Sequence, residues 1–210
     1  VFHYGITRRV RGAAVAEIRA KARAGAFLPA ETAVMRGVKL EKVSIKRDEH
    51  YEILKGTLVS TYANVTIDFN GHTLTVNGSG VAAITVLTKG TAGNVTLKDS
   101  VGGGGMVTTG VYGVTVRGTG ATATVESGTY NCTTTAVQVE NGTAYIKGGT
   151  FQTNEENKNY LLNCIDEAFK AGTAKIEVTG GTFKNFDPAN NKAEGKGTNF
   201  VAAGYVSRMD

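Results

Sequence analysis

The stretch Ala144-Tyr145-Ile146-Lys147-Gly148-Gly149-Thr150-Phe151 decides how this chain is read. Its first half alternates apolar and polar residues, the pattern of a strand with one buried face. Two glycines then supply a turn that other residues would strain. Thr150 and Phe151 begin a second strand. The same pattern recurs as Ala123-Thr124-Val125-Glu126-Ser127-Gly128-Thr129-Tyr130 and as Ile176-Glu177-Val178-Thr179-Gly180-Gly181-Thr182-Phe183. Upstream, Val65-Thr66-Ile67-Asp68 and Val95-Thr96-Leu97-Lys98 repeat the strand half alone.

Aligned on these strands, Ile67, Leu97, Val125, Ile146 and Val178 follow one another at spacings of 30, 28, 21 and 32 residues. Short strands recurring at such a period, with no helices between them, imply a solenoid whose coils cover one another's edges. The expected fold is all-β: a short, single-stranded right-handed parallel β-helix of about five coils over residues 56–210. The aligned aliphatics should form one interior column, and Tyr130, Phe151 and Phe183 a second. Asn70-Gly71, Asn77-Gly78 and Asn141-Gly142 are hairpin signals. They keep an antiparallel β-sandwich open as the alternative.

Composition agrees with many short strands joined by tight turns. The chain holds 28 Gly, 2 Pro and no Trp, and its 41% apolar content excludes a disordered polymer. Charge divides it in two. Residues 1–55 carry 12 Lys/Arg against 6 Asp/Glu, whereas residues 56–210 carry 11 against 12. The basic N-terminal arm therefore has a different task from the rest. Within it, residues 13–24 read as one amphipathic helix, with Ala14, Val15, Ile18 and Ala22 on one face and Gly25 as its C-cap. Val38-Lys39-Leu40 and Lys42-Val43-Ser44-Ile45 are strand-like. Phe186, Phe200 and Tyr205 are too apolar for a free tail, so residues 185–205 are expected to cap the last coil. Cys132 and Cys164 read as buried thiols, with one bridge as the other option.

Asn64-Val65-Thr66-Ile67-Asp68-Phe69-Asn70-Gly71-His72-Thr73-Leu74 resembles the opening coil of pectate-lyase-like right-handed β-helix proteins. That group includes polysaccharide-degrading enzymes, bacterial surface proteins and phage tailspikes. Gly180-Gly181-Thr182-Phe183 through Phe186-Asp187-Pro188, then Glu194-Gly195 and Thr198 to Tyr205, is similar to endings of uncharacterised surface or phage-virion proteins of gut bacteria. The resemblance covers roughly residues 57–206 and implies fold more than activity, because one fold hosts many functions. By analogy with tailspikes it implies a homotrimer.

Enzymes of that fold set clustered acids on an outer face, either as cation ligands or as paired carboxylates. Here the aligned column Asp68, Lys98, Glu126, Lys147 and Thr179 alternates sign and reads as a solvated ladder of opposite charges. Asp166-Glu167 and Glu155-Glu156 are neighbours in sequence, and neighbours on a strand face opposite ways. His3, His50 and His72 are scattered, without a second metal ligand at suitable spacing. The Gly102 to Gly105 run lacks the lysine and helix of a phosphate loop. No catalytic residue, metal ligand or cofactor is expected, and the protein is not expected to be an enzyme.

Arg8, Arg9, Arg11, Arg19, Lys21 and Arg23 are the candidate anchoring residues. Nucleic acid is disfavoured because few aromatics accompany them, and membrane insertion because their helix has a weak apolar face. An acidic protein surface of a larger assembly is the expected partner, with surface glycans as a second. The expectation is a structural or binding component on a virion or cell surface. The alternatives are a polysaccharide lyase or hydrolase and a repeat module of a bacterial adhesin.

Overall fold

The computed structural model describes residues 33–35, 38–41, 59–61, 64–77, 82–109, 112–153 and 158–209. The expected helix at 13–24 and the six arm cations lie outside them. Across the described residues the chain is all-β, a parallel β-solenoid of about four turns with almost no helix.

Three ladders build the walls. The first stacks β3 (Val59–Thr61), β6 (Ala82–Val86), the start of β11 (Tyr112–Val125), the start of β13 (Val137–Ile146) and β15 (Leu162–Cys164). The second stacks β4 (Asn64–Asp68), β9 (Asn94–Lys98), the ends of β11 and β13, and β16 (Ala174–Val178). The third stacks β5 (Thr73–Asn77), β10 (Gly105–Thr109), β12 (Thr129–Cys132), β14 (Thr150–Thr153) and β17 (Thr182–Phe183). Each ladder is five strands deep, which spans the four turns. β11 and β13 round the corner between the first two ladders unbroken, with register shifts beside Arg117.

Every pairing within the ladders is parallel, so the antiparallel sandwich falls. Asn70 and Gly71, at φ 51° and 76°, turn the chain from the second ladder into the third and do not close a hairpin. Asn141 and Gly142 lie inside β13 at its corner. Antiparallel pairing occurs elsewhere. β1 (Ala33–Met35) and β2 (Val38–Glu41) form a hairpin, and β2 lies antiparallel on β4, covering the first strand edge of the second ladder. β7 (Thr88–Lys89) and β8 (Thr91–Ala92) form a small hairpin in the second coil.

The interior follows the columns read from sequence. Ile67, Leu97, Val125, Ile146 and Val178 pair in unbroken register and are at most 4% exposed. Tyr130 stacks on Phe151 at 4.9 Å and 11°, and Phe151 stacks on Phe183 at 5.1 Å and 9°. Phe69 closes that column edge-on to Tyr130 at 5.9 Å. Such ring pairs add about 0.5–1.5 kcal/mol each beyond their buried area.

The last coil departs from the expected pattern. A short helix, α1 (Asp166–Lys170), interrupts it between β15 and β16. Phe200 packs edge-on to Phe169 at 6.0 Å, and Phe186 leans on Phe183 at 6.2 Å. Phe186 and Phe200 are buried, whereas Tyr205 stays 55% exposed and takes no part in the cover. Val201 makes a parallel bridge to Val178, a fragment of a further coil.

Candidate functional site

Two rows run along the outer face of the second ladder. One is Asn64, Asn94, Thr122, Thr143 and Lys175, and the other is Thr66, Thr96, Thr124, Tyr145 and Glu177. Their alternation with the buried aliphatics turns them outward. The first row is partly zipped. Asn94 Nδ2 donates to Asn64 Oδ1 at 2.7 Å, and Thr122 Oγ1 donates to Asn94 Oδ1 at 2.6 Å. Lys175 and Glu177 pair at 2.7 Å beside Tyr145. Hydroxyls, amides, one aromatic ring and opposite charges thus sit about 4.8 Å apart on a rigid sheet. That surface can hydrogen-bond a polar polymer.

The charged column holds its register, with Asp68 opposite Lys98. One member was misread. Asp68 is only 1% exposed, not solvated, and its Oδ1 accepts the backbone N–H groups of Asn70 at 2.9 Å and Ser100 at 3.0 Å. Burial pushes this carboxyl up, but those N–H groups and Lys98 at 3.7 Å together hold it below its ordinary value. Asp99, one residue further round, accepts from Gly71 N–H at 2.7 Å and Gly104 N–H at 2.6 Å. Both carboxylates therefore fasten a corner whose loops are longer than those of later coils. Sequence pattern missed this because the partners are backbone groups, one in the same turn and one in the neighbouring turn for each carboxylate. His72 lies in that corner as a turn residue, its N–H donating to Phe69 O at 2.9 Å. Gly102 and Gly103 take positive φ there, with no helix following.

Arg117 and Glu140 pair at 2.7 Å on the corner between the first and second ladders. Cys132 and Cys164 are free and buried, and burial pushes their thiols up to about 11 and about 12. The bridge option therefore falls. Asp187 accepts Ala189 N–H at 2.9 Å and so shapes its own turn. Glu155 and Glu156 lie outside the described residues, as do Arg8, Arg9, Arg11, Arg19, Lys21 and Arg23. Among the described residues no three metal-ligating side chains come together, and no helix is long and apolar enough to cross a membrane.

One contact was not legible beforehand. Glu194, from the C-terminal cap, accepts the backbone N–H of Cys164 at 2.6 Å. No periodic pattern joins a cap loop to the last strand of the first ladder.

No family model matches the chain, and neither the curated proteins nor the solved structures give a match.

Proposed function

We propose that this protein is a non-enzymatic structural or binding component of a virion or cell-surface appendage. In this reading the solenoid displays the outer face of its second ladder, and the basic segment 1–55 fastens it to an acidic protein surface. The observation that carries the reading is that face: two in-register rows of hydroxyl, amide, aromatic and charged side chains held on stacked strands. Such a platform needs no rearrangement to bind, which limits the entropy lost on contact. The charge division of the sequence supports the anchor, and the sequence resemblance supports the setting.

Deleting residues 1–12 removes Arg8, Arg9 and Arg11. The shortened chain is expected to keep its β-sheet circular dichroism and to lose cosedimentation with the native particle or envelope fraction. Salt should weaken the intact chain's docking, because exposed charges are screened beyond roughly 8–10 Å. Unchanged docking and unchanged salt dependence after the deletion would sink the anchor. Release of oligosaccharides from a polysaccharide, lost on changing one carboxylate, would overturn the non-enzymatic reading.

A further inference from the structure

The outer face of the first ladder is closed where those of the other two are open. Thr85, Thr115, Gln138 and Asn163 pair in register along it. They alternate with Ile84, Val114, Val137 and Leu162, which belong to the core, so they point away from it. Glu140, two residues beyond Gln138 and on the same side, pairs with Arg117 at the surface. Yet Thr85 and Thr115 are 0% exposed and Gln138 is 4% exposed, whereas Thr96, Thr124, Val107 and Asn131 on the other two faces stay half-buried. One chain alone achieves this burial, so the cover is part of the same molecule. Among the described strands β6 packs chiefly on its edge neighbours β3 and β11, which cannot roof it. The cover is also apolar. Thr85 Oγ1, Thr115 Oγ1 and Asn163 Oδ1 are buried and no hydrogen-bond partner reaches them. Asn163 Nδ2 turns along the row instead, donating to Gln138 Oε1 at 2.9 Å. A polar roof would have supplied partners to such groups.

We propose that residues 13–24 are this roof, with Ala14, Val15, Ile18 and Ala22 against the methyl groups of Thr85 and Thr115 and with Arg19 and Arg23 turned outward. The segment lies outside the described residues, and its sequence pairs a small apolar face with a basic one. Its length suits the task. Residues 13–24 as a helix reach about 18 Å, and the row from Thr85 to Asn163 spans about 14 Å at the usual strand spacing. Residues 25–32 reach about 26 Å when extended, ample to lead from such a roof to β1. Other segments outside the described residues fit less well. Residues 78–81 and 110–111 are too short, and 154–157 read Asn-Glu-Glu-Asn, which would bring polar partners. Residues 42–58 join β2 to β3, so both their ends are tied to the first coil, whereas Gln138 and Asn163 belong to later ones. The roof would hold Arg19 and Arg23 on a rigid wall. That consequence rests on the anchoring reading above, and the roof itself does not.

The test is maleimide labelling of Thr115→Cys in the full chain, followed by mass spectrometry, with Thr124→Cys on the open second ladder as the reference. Cys132 and Cys164 are buried thiols pushed up to about 11 and about 12, so they give little background. Thr115→Cys should label at least about tenfold more slowly than Thr124→Cys, because the roof must open first. Adding Ile18→Asp puts a charge under the roof and should speed that labelling about tenfold or more. Adding Arg19→Asp, on the outward face, should leave it slow. Equal labelling at positions 115 and 124 overturns the proposal. So does protection that survives Ile18→Asp, which would give the cover to another segment. Protection that fades on dilution overturns it as well, in favour of a second copy. Should Ile18→Asp fail to fold by circular dichroism, a cysteine pair decides. Ile18→Cys with Thr115→Cys should bridge on oxidation by diamide, and Arg19→Cys with Thr115→Cys should not. The opposite result sinks the roof. No partner is present in either experiment, so the roof and the anchor can fail separately.

Discussion

At the scale of single residues, the glycines of the repeated turn serve two separate needs. Gly128, Gly149 and Gly181 sit at φ 104°, 101° and 111°, where an L side chain is strained. Gly148 and Gly180 have ordinary φ, but a Cβ on either would overlap a carbonyl oxygen of the preceding coil, Glu126 O and Lys147 O. Ser127 fills the same position one coil earlier, where its hydroxyl accepts Asp99 N–H at 2.7 Å. Gly148→Ala should therefore cost more than Gly90→Ala, where φ is 75° but nothing lies within 4 Å of the new carbon. Urea midpoints are expected to show about 1–2 kcal/mol lost at position 90 and a larger loss at 148. Thr115 gives the opposite sign. Its hydroxyl is buried without a partner, so Thr115→Val should be neutral or stabilising by up to about 1 kcal/mol in the same measurement. Asp68 sets an acid dependence. Its carboxyl is lowered on folding, so its contribution is complete above the ordinary value of 3.8 and is lost as pH falls through the folded value. Asp68→Asn should cost about 1–3 kcal/mol at neutral pH and flatten the decline of thermal midpoint in acid.

At the scale of elements, the columns make each strand dependent on the coils beside it. Ile146 lies between Val125 and Val178 inside its stack. Ile146→Ala should cost about 2–5 kcal/mol by denaturant unfolding, because neighbours held in two ladders cannot collapse into the space. A loss below about 1 kcal/mol would mean that the stack is looser than its register implies. These columns were readable in the sequence because strand alternation and the Gly-Thr-aromatic turn recur in phase. α1 was not readable: Asp166–Lys170 spans five residues, too few to show a helical period. The β7–β8 hairpin escaped for the same reason, with two residues in each strand.

For the molecule as a whole, the difficulty of a short solenoid lies at its two ends, where unpaired strands invite association. The structure closes the described first edge of the second ladder with β2, and it closes the last coil with Phe186, Phe200 and the Val201 bridge. A chain truncated after Lys184 would uncover Phe183 and the edge of Val178. It is expected to self-associate at concentrations where the intact chain does not, as read by light scattering. A truncated chain with unchanged scattering would show that the cap contributes nothing to keeping the end closed.

Sequence alone determined the recurrence of the strands, the residues that face inward and the phase of the aromatic stack. Each of these follows from local alternation and from turns that few residues tolerate, so neighbouring residues carry the information. Tertiary structure alone decided that Asp68 is a buried fastening, that β2 runs antiparallel on β4, and that Glu194 meets the Cys164 N–H. Those contacts join segments in different coils, and their partners are mostly backbone N–H groups, which every residue but proline possesses. A group common to nearly every residue leaves no mark in a sequence, and only the fold shows which one a carboxylate reaches.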